Sequence, residues 1–211
     1  MKALHRLICG FAVLSLAAFA DNAQAVRFAE RPLLWQRTAV SGYLGIGLPV
    51  GVFASDDLPG DGNHASWPVD WALEVEHFAG RTWSLGFSAA YTTYEDKSDA
   101  SLHTNLNTYS GFLRIVVPTG TDVRPYFRAG MGGMQVEFEQ QGEYRVDAEY
   151  VFSFQAGAGL LWLPQRWLGL NAQALYYYGS TEDAYIREAD AIVGFDTTYF
   201  TFTGGVSIFF P

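Results

Sequence analysis

The chain of 211 residues holds one cysteine, Cys9, and two lysines, Lys2 and Lys97. A lone thiol cannot close an intramolecular bridge, so the fold is held without disulfides. Positive charge is scarce as well: 13 basic residues face 22 acidic ones, for a formal net charge of −9. A surface of that sign repels phosphate, which excludes nucleic acid as a partner. The third absence is a long apolar run. Beyond the N-terminus nothing approaches the roughly 18 consecutive apolar residues of a spanning helix. Yet 49% of the chain is hydrophobic and only 17% charged, which also excludes a disordered chain.

What is abundant is glycine, at 22, and aromatic side chains, at 16 Phe, 12 Tyr and 6 Trp. Together they favour strands, tight turns and close backbone approaches over helices. The first 25 residues read as an export signal. Lys2, His5 and Arg6 precede an apolar stretch over 7–20, and Ala23-Gln24-Ala25 offers a small-x-small cleavage site, with Ala18-Phe19-Ala20 as a rival. Cleavage after Ala25 makes Val26 the mature N-terminus. Cys9 precedes the apolar stretch, the wrong side for lipidation, so the mature chain has no cysteine.

Strand-period alternation then recurs eight times, over 38–48, 69–77, 83–91, 109–117, 126–139, 152–162, 168–178 and 200–210. The second segment shows it most cleanly: Val69, Trp71, Leu73 and Val75 take one phase, Asp70, Ala72, Glu74 and Glu76 the other. In the fifth, the apolar phase is Phe127, Ala129 and Met131 before Gly132-Gly133 and Met134, Val136 and Phe138 after it, which predicts a glycine bulge. Long polar connections (49–67, 95–104, 140–149, 179–197) alternate with short ones (79–81, 118–123, 164–166). The long ones carry fourteen carboxylates against Lys97, Arg145 and Arg187. That rhythm predicts an all-β, eight-stranded, antiparallel up-and-down barrel with its acidity at one end.

Periodicity does not say which phase faces inward, and a soluble barrel of the lipocalin kind alternates too. Three features favour a transmembrane barrel. The apolar phase places aromatics toward segment ends, as interfacial girdles require. The opposite phase is mostly Gly, Ala, Ser and Thr, which fit the narrow interior of eight strands. Each segment also offers about 9–11 residues, the span of a tilted membrane strand.

The run Val123-Arg-Pro-Tyr-Phe-Arg-Ala-Gly-Met-Gly-Gly133, then Phe154-Gln-Ala-Gly-Ala-Gly159 and a terminal aromatic strand, resembles the small outer-membrane β-barrel family that includes the OmpA/OmpX-type barrels of Gram-negative bacteria. The likeness covers about 38–210. It implies location in the outer membrane and insertion by the barrel-assembly machinery through the C-terminal strand, where Pro211 displaces the usual terminal aromatic, Phe210, by one place. It implies no single activity. The expected organisation is a cleaved signal over 1–25, a periplasmic lead-in over 26–37 carrying Arg27, Arg31 and Arg37, and a barrel over 38–211 without an appended peptidoglycan-binding domain.

Glu74, Glu76, Arg114, Arg128 and Glu137 fall on the small or polar phase and so are expected in the lumen. Unpaired charges there are costly and eight strands leave room for little but side chains, so a paired, packed network is expected over an ion pathway. No catalytic set assembles in the sequence. Asp99, Ser101 and His103 lie close together, but the His-x-Ser order of the small deacylase barrels is missing, Asn105 standing two after His103, and neither His64 nor His77 fits better. The loop from Asp56 to Asn63 offers oxygens among glycines without EF-hand spacing, and reads as a solvated loop, not a metal site. No cofactor is expected. The expectation is a monomeric structural or surface-interaction protein, in contact with outer-membrane lipid and lipopolysaccharide, displaying its acidic loops to surface ligands that no motif identifies. A narrow pore is the second reading and a lipid acyl hydrolase the third.

Overall fold

The computed structural model describes residues 34–50, 68–95, 102–140, 143–147, 151–186 and 191–211. Among these are nine strands: β1 (Thr38–Val50), β2 (Val69–His77), β3 (Trp83–Glu95), β4 (Leu102–Val116), β5 (Val123–Gln140), β6 (Glu143–Asp147), β7 (Val151–Trp162), β8 (Leu168–Ile186) and β9 (Ala191–Phe210). Neighbouring strands pair antiparallel around a full circle, closed by β4 with β5 and by β1 with β9. Eight of the nine form the barrel wall, while β6 pairs only with the far end of β5. Closure leaves no open edge in the wall, which is what a sheet immersed in hydrocarbon requires.

The alternation selects the faces as a membrane barrel demands. Leu44, Leu73, Val75, Leu85, Phe87, Met131 and Val206 are exposed on the outside, whereas Glu74, Glu76, Ser84, Ser88, Arg114 and Ser207 are buried inside. Aromatics mark both ends of the apolar band. Trp71, Tyr109, Phe152, Tyr176 and Phe200 ring one end and Trp35, Trp83, Trp162, Trp167 and Phe210 the other. From Phe152 to Trp162 the chain takes ten steps, which at about 3.3 Å each and a tilt near 40° gives a band about 25 Å tall.

Two expectations are corrected here. No bulge occurs at Gly132-Gly133, because the register of β5 with β4 and with β7 runs through both glycines unbroken. Met134 and Val136 therefore point into the barrel, fully buried. It is the surrounding medium that changes, not the phase of the strand. Above the aromatic ring the outer face meets water, so Asn107, Gln135 and Glu137 take the outside and apolar side chains take the inside, as in a soluble sheet. Gly132 has a different purpose: a side chain there would run into the Tyr109 carbonyl and lie 2.6 Å from the Ser110 Cα, so glycine lets β5 press against β4.

The connection expected over 179–197 is also largely strand. β8 and β9 continue as a paired hairpin as far as Ile186 and Ala191, with one register shift between Thr181 and Ala184. Along the barrel axis the interior falls into three layers. Tyr94, Leu106, Met134, Val136, Val151, Leu175, Tyr177 and Tyr199 fill the end nearest the long connections. There Tyr177 and Tyr199 stack at 4.7 Å and Tyr94 meets Tyr199 edge-on at 6.5 Å. Leu34, Ala39, Phe78, Val116, Tyr126, Leu161, Leu163 and Phe209 fill the opposite end. A turn delivers Leu34 to that end: Gln36 adopts φ 59° and donates its N–H to the Phe78 carbonyl at 2.9 Å, while Arg37 N–H bonds back to Leu34. Between the two apolar layers lies the polar one.

Candidate functional site

The charged part of the middle layer is built on four consecutive strands, β2 to β5. Glu74 and Glu76 lie two apart on β2 and thus share the inner face; Arg114 on β4 sits directly across from Arg128 on β5 in the register. Between β2 and β4 runs β3, whose inner residues here are Ser84, Gly86 and Ser88. Their small size leaves space for the two glutamates to reach across it. A side chain at position 86 would collide with the Phe112 ring.

Across that gap Arg114 Nη1 donates to Glu76 Oε1 at 2.6 Å and Nη2 to Glu74 Oε2 at 3.1 Å. Arg128 Nη1 donates to the other oxygen of Glu74. Two guanidinium groups facing each other on neighbouring strands would repel, and Glu74, shared between them, offsets that repulsion. Ser84 Oγ donates to Glu76 Oε2 at 2.6 Å, Ser88 Oγ to Glu74 Oε1 at 3.4 Å, and Tyr43 accepts from Arg114 Nη2 at 3.2 Å. Aromatic faces complete the enclosure: Arg114 lies 4.5 Å from the Tyr126 ring centre, and Arg128 3.9 Å from that of Phe112. All four charged residues are at most 2% exposed. Two cations with two anions in contact hold down the desolvation cost of burying any one of them, which in isolation amounts to several kcal/mol per ion.

The rest of the layer is neutral hydrogen bonding. Ser41 and Ser207 share a bond at 2.6 Å, Asn171 donates to Ser207 at 2.7 Å, Tyr126 donates to Gln173 at 3.1 Å, and Gln155 donates to Ser110. Nearer the outer end, Thr92 donates to the buried Asp70 at 2.6 Å.

Of the five charged residues expected in the lumen, the structure brings Glu74, Glu76, Arg114 and Arg128 into one cluster. Glu137 is not among them. It lies half-buried on the outward phase of β5, above the aromatic ring, because the strand keeps its phase where the sequence suggested a switch. Sequence reasoning passed over Tyr43, Phe112 and Tyr126. Tyr43 and Phe112 stand among small residues on the polar phase, and Tyr126 lies two before Arg128 on the same phase, a signal that was available for all three. The histidines do not converge: His103 is half-buried on the outward phase near the outer end, and His77 lies at the other rim with its Nδ1 3.2 Å from Thr38 Oγ1. Asp99, Ser101, His64 and the loop from Asp56 to Asn63 lie outside the described residues.

A closed eight-stranded antiparallel barrel with an apolar outside, two aromatic rings and a packed, charged interior defines a small barrel of the outer membrane. The family model of the outer membrane protein beta-barrel domain matches residues 10–203, and the chain belongs to that family. Among solved structures it is similar to Neisserial surface protein A, with 12% identity and a TM-score of 0.60, covering 81% of this chain and 96% of that one. It is similar also to the N-terminal β-barrel domain of OprF from Pseudomonas aeruginosa (16% identity, TM-score 0.52, covering 83% and 98%) and to Ail, the attachment invasion locus protein of Yersinia pestis (17%, 0.52, 84% and 100%). No curated protein sequence matches the chain. The protein is an outer-membrane protein of a Gram-negative cell envelope.

Proposed function

We propose that this protein is a sealed, non-enzymatic barrel that acts through what it displays outside the cell, a structural or surface-interaction role carried by its acidic outer connections. The observation that supports this is the stacking of the lumen: the ion-paired layer lies between two apolar layers, each containing aromatic rings. A hydrated ion crossing the barrel would have to displace both layers and break the ion pairs of Arg114 and Arg128 with Glu74 and Glu76, so the polar lining does not amount to a path. The β8–β9 hairpin, paired well past the outer aromatic ring, carries the chain out to where a surface contact would be made. The acidity of the long connections suits partners approached through divalent cations, lipopolysaccharide phosphates included.

Planar-bilayer recording of the refolded protein tests the sealed lumen. Sustained channel openings should be absent from wild type; a stable ion-selective conductance would make the protein a pore. Replacing 182–196 with a short turn should abolish surface binding to cells or matrix while leaving the heat-modifiable gel shift of the folded barrel. The signal over 1–25 belongs to the same reading, with N-terminal sequencing of outer-membrane material expected to begin at Val26.

A further inference from the structure

Arginine is distributed unevenly along this barrel. Of the arginines whose side chains are described, Arg114 and Arg128 lie in the lumen, and the other four, Arg37, Arg81, Arg124 and Arg166, all lie at the end with the short connections. That end faces the periplasm in outer-membrane barrels. Asp122, beside Arg124, is the one acidic side chain at this rim among the described residues. In a chain of net charge −9 this is a local reversal of sign.

Two of these arginines are also joined by a hydrogen bond. Arg37 Nη1 donates to the backbone carbonyl of Arg166, joining the start of β1 to the turn between β7 and β8. The bond lies at the foot of the β8–β9–β1 seam, where Thr38 pairs with Phe210 and Leu168 with Ile208. Trp35, Trp167 and Phe210 stand exposed around it, and directly above begins the lipid-facing wall of Val40, Val206 and Ile208.

We propose that this foot of the seam binds the phosphate of an anionic glycerophospholipid in the periplasmic leaflet. Guanidinium groups meet phosphate oxygens through paired, charge-assisted hydrogen bonds. Indole rings settle at the headgroup level, and the lipid's acyl chains run up the wall formed by Val40, Val206 and Ile208. The ligand is a membrane lipid and not a dissolved anion, because exposed Trp35, Trp167 and Phe210 neighbour the two arginines in the chain and in the register, just below the lipid-facing wall.

Native mass spectrometry of the full folded barrel released from phosphatidylcholine nanodiscs containing phosphatidylglycerol tests this. Wild type should retain phosphatidylglycerol over phosphatidylcholine, each arginine contributing about fivefold. Arg37→Gln with Arg166→Gln should remove the preference, and Arg81→Gln, on a separate turn, should leave it within about twofold. Arg166→Gln alone keeps the carbonyl that Arg37 uses, and should cost about fivefold in selectivity with the gel shift of the folded barrel intact even if the double variant fails to fold. No preference in wild type, full preference in Arg166→Gln, or competition by millimolar inorganic phosphate would each overturn the proposal.

Discussion

Glu74 is the residue on which the luminal cluster depends most, since it is the carboxylate that pairs with both arginines. Glu74→Ala should leave Arg128 without its carboxylate and Arg114 with one of two, at a cost of about 3–5 kcal/mol, measured as the shift in urea unfolding of the barrel in lipid vesicles. Tyr43→Phe removes one neutral partner of Arg114 and should cost about 1.5–3 kcal/mol by the same measurement. If the two substitutions proved equal, the shared carboxylate would not be the centre of the network. The charged members were legible because charge on a phase otherwise made of Gly, Ala and Ser has nowhere to go but inward. Their mutual contact was not legible. It depends on strand register and on the reach of two glutamates over Ser84, Gly86 and Ser88, and alternation alone carries no register.

At the scale of the strand, the instructive error is β5. A shift in the apolar phase at Gly132-Gly133 has two physical causes, an inserted residue or a change of surrounding medium, and a local pattern does not distinguish them. The unbroken pairing with β4 and β7 selects the second. Single cysteines read this directly, because the mature chain is expected to have none of its own. Cysteine at Gln135 should react from outside with a membrane-impermeant maleimide, cysteine at Met131 should not, and cysteine at Met134 should be shielded within the barrel. A bulge would instead expose position 134 and bury 135. Met134→Gln, placing an amide in the apolar outer layer, should destabilise by about 1–3 kcal/mol. Strand ends at the short turns were read almost to the residue at His77, Trp83, Trp162 and Leu168, because short turns leave the alternation little room to drift, although β5 begins at Val123, three residues before the expected 126. The outer ends of β4, β8 and β9 were read short, since polarity reverses there and the strands continue beneath it.

For the whole molecule, closure, strand number and the lipid-facing phase were all present in the sequence, while the layering of the lumen was not. Each layer draws on residues distant in the chain: Leu34, Phe78, Val116, Leu161 and Phe209 meet at one end only when the ring is complete. The N-terminal lead-in takes part in that layer through Leu34, so Leu34→Asp should destabilise the barrel by more than about 2 kcal/mol, seen as a lower temperature for loss of the gel shift. The reversal of polarity along β4 and β5 has a further effect on how the molecule rides in its bilayer. A barrel whose outer face fades gradually from apolar to polar can slide by a residue or two at small cost. Here a sink toward the periplasm would draw Gln135 and Glu137 into hydrocarbon, and a rise would draw the lower tryptophans and the rim arginines into it while lifting the top of the apolar wall into water. The outer face is therefore matched to one membrane thickness. Its unfolding midpoint across bilayers of increasing acyl length should peak sharply near a hydrocarbon thickness of about 25 Å, and fall on both sides.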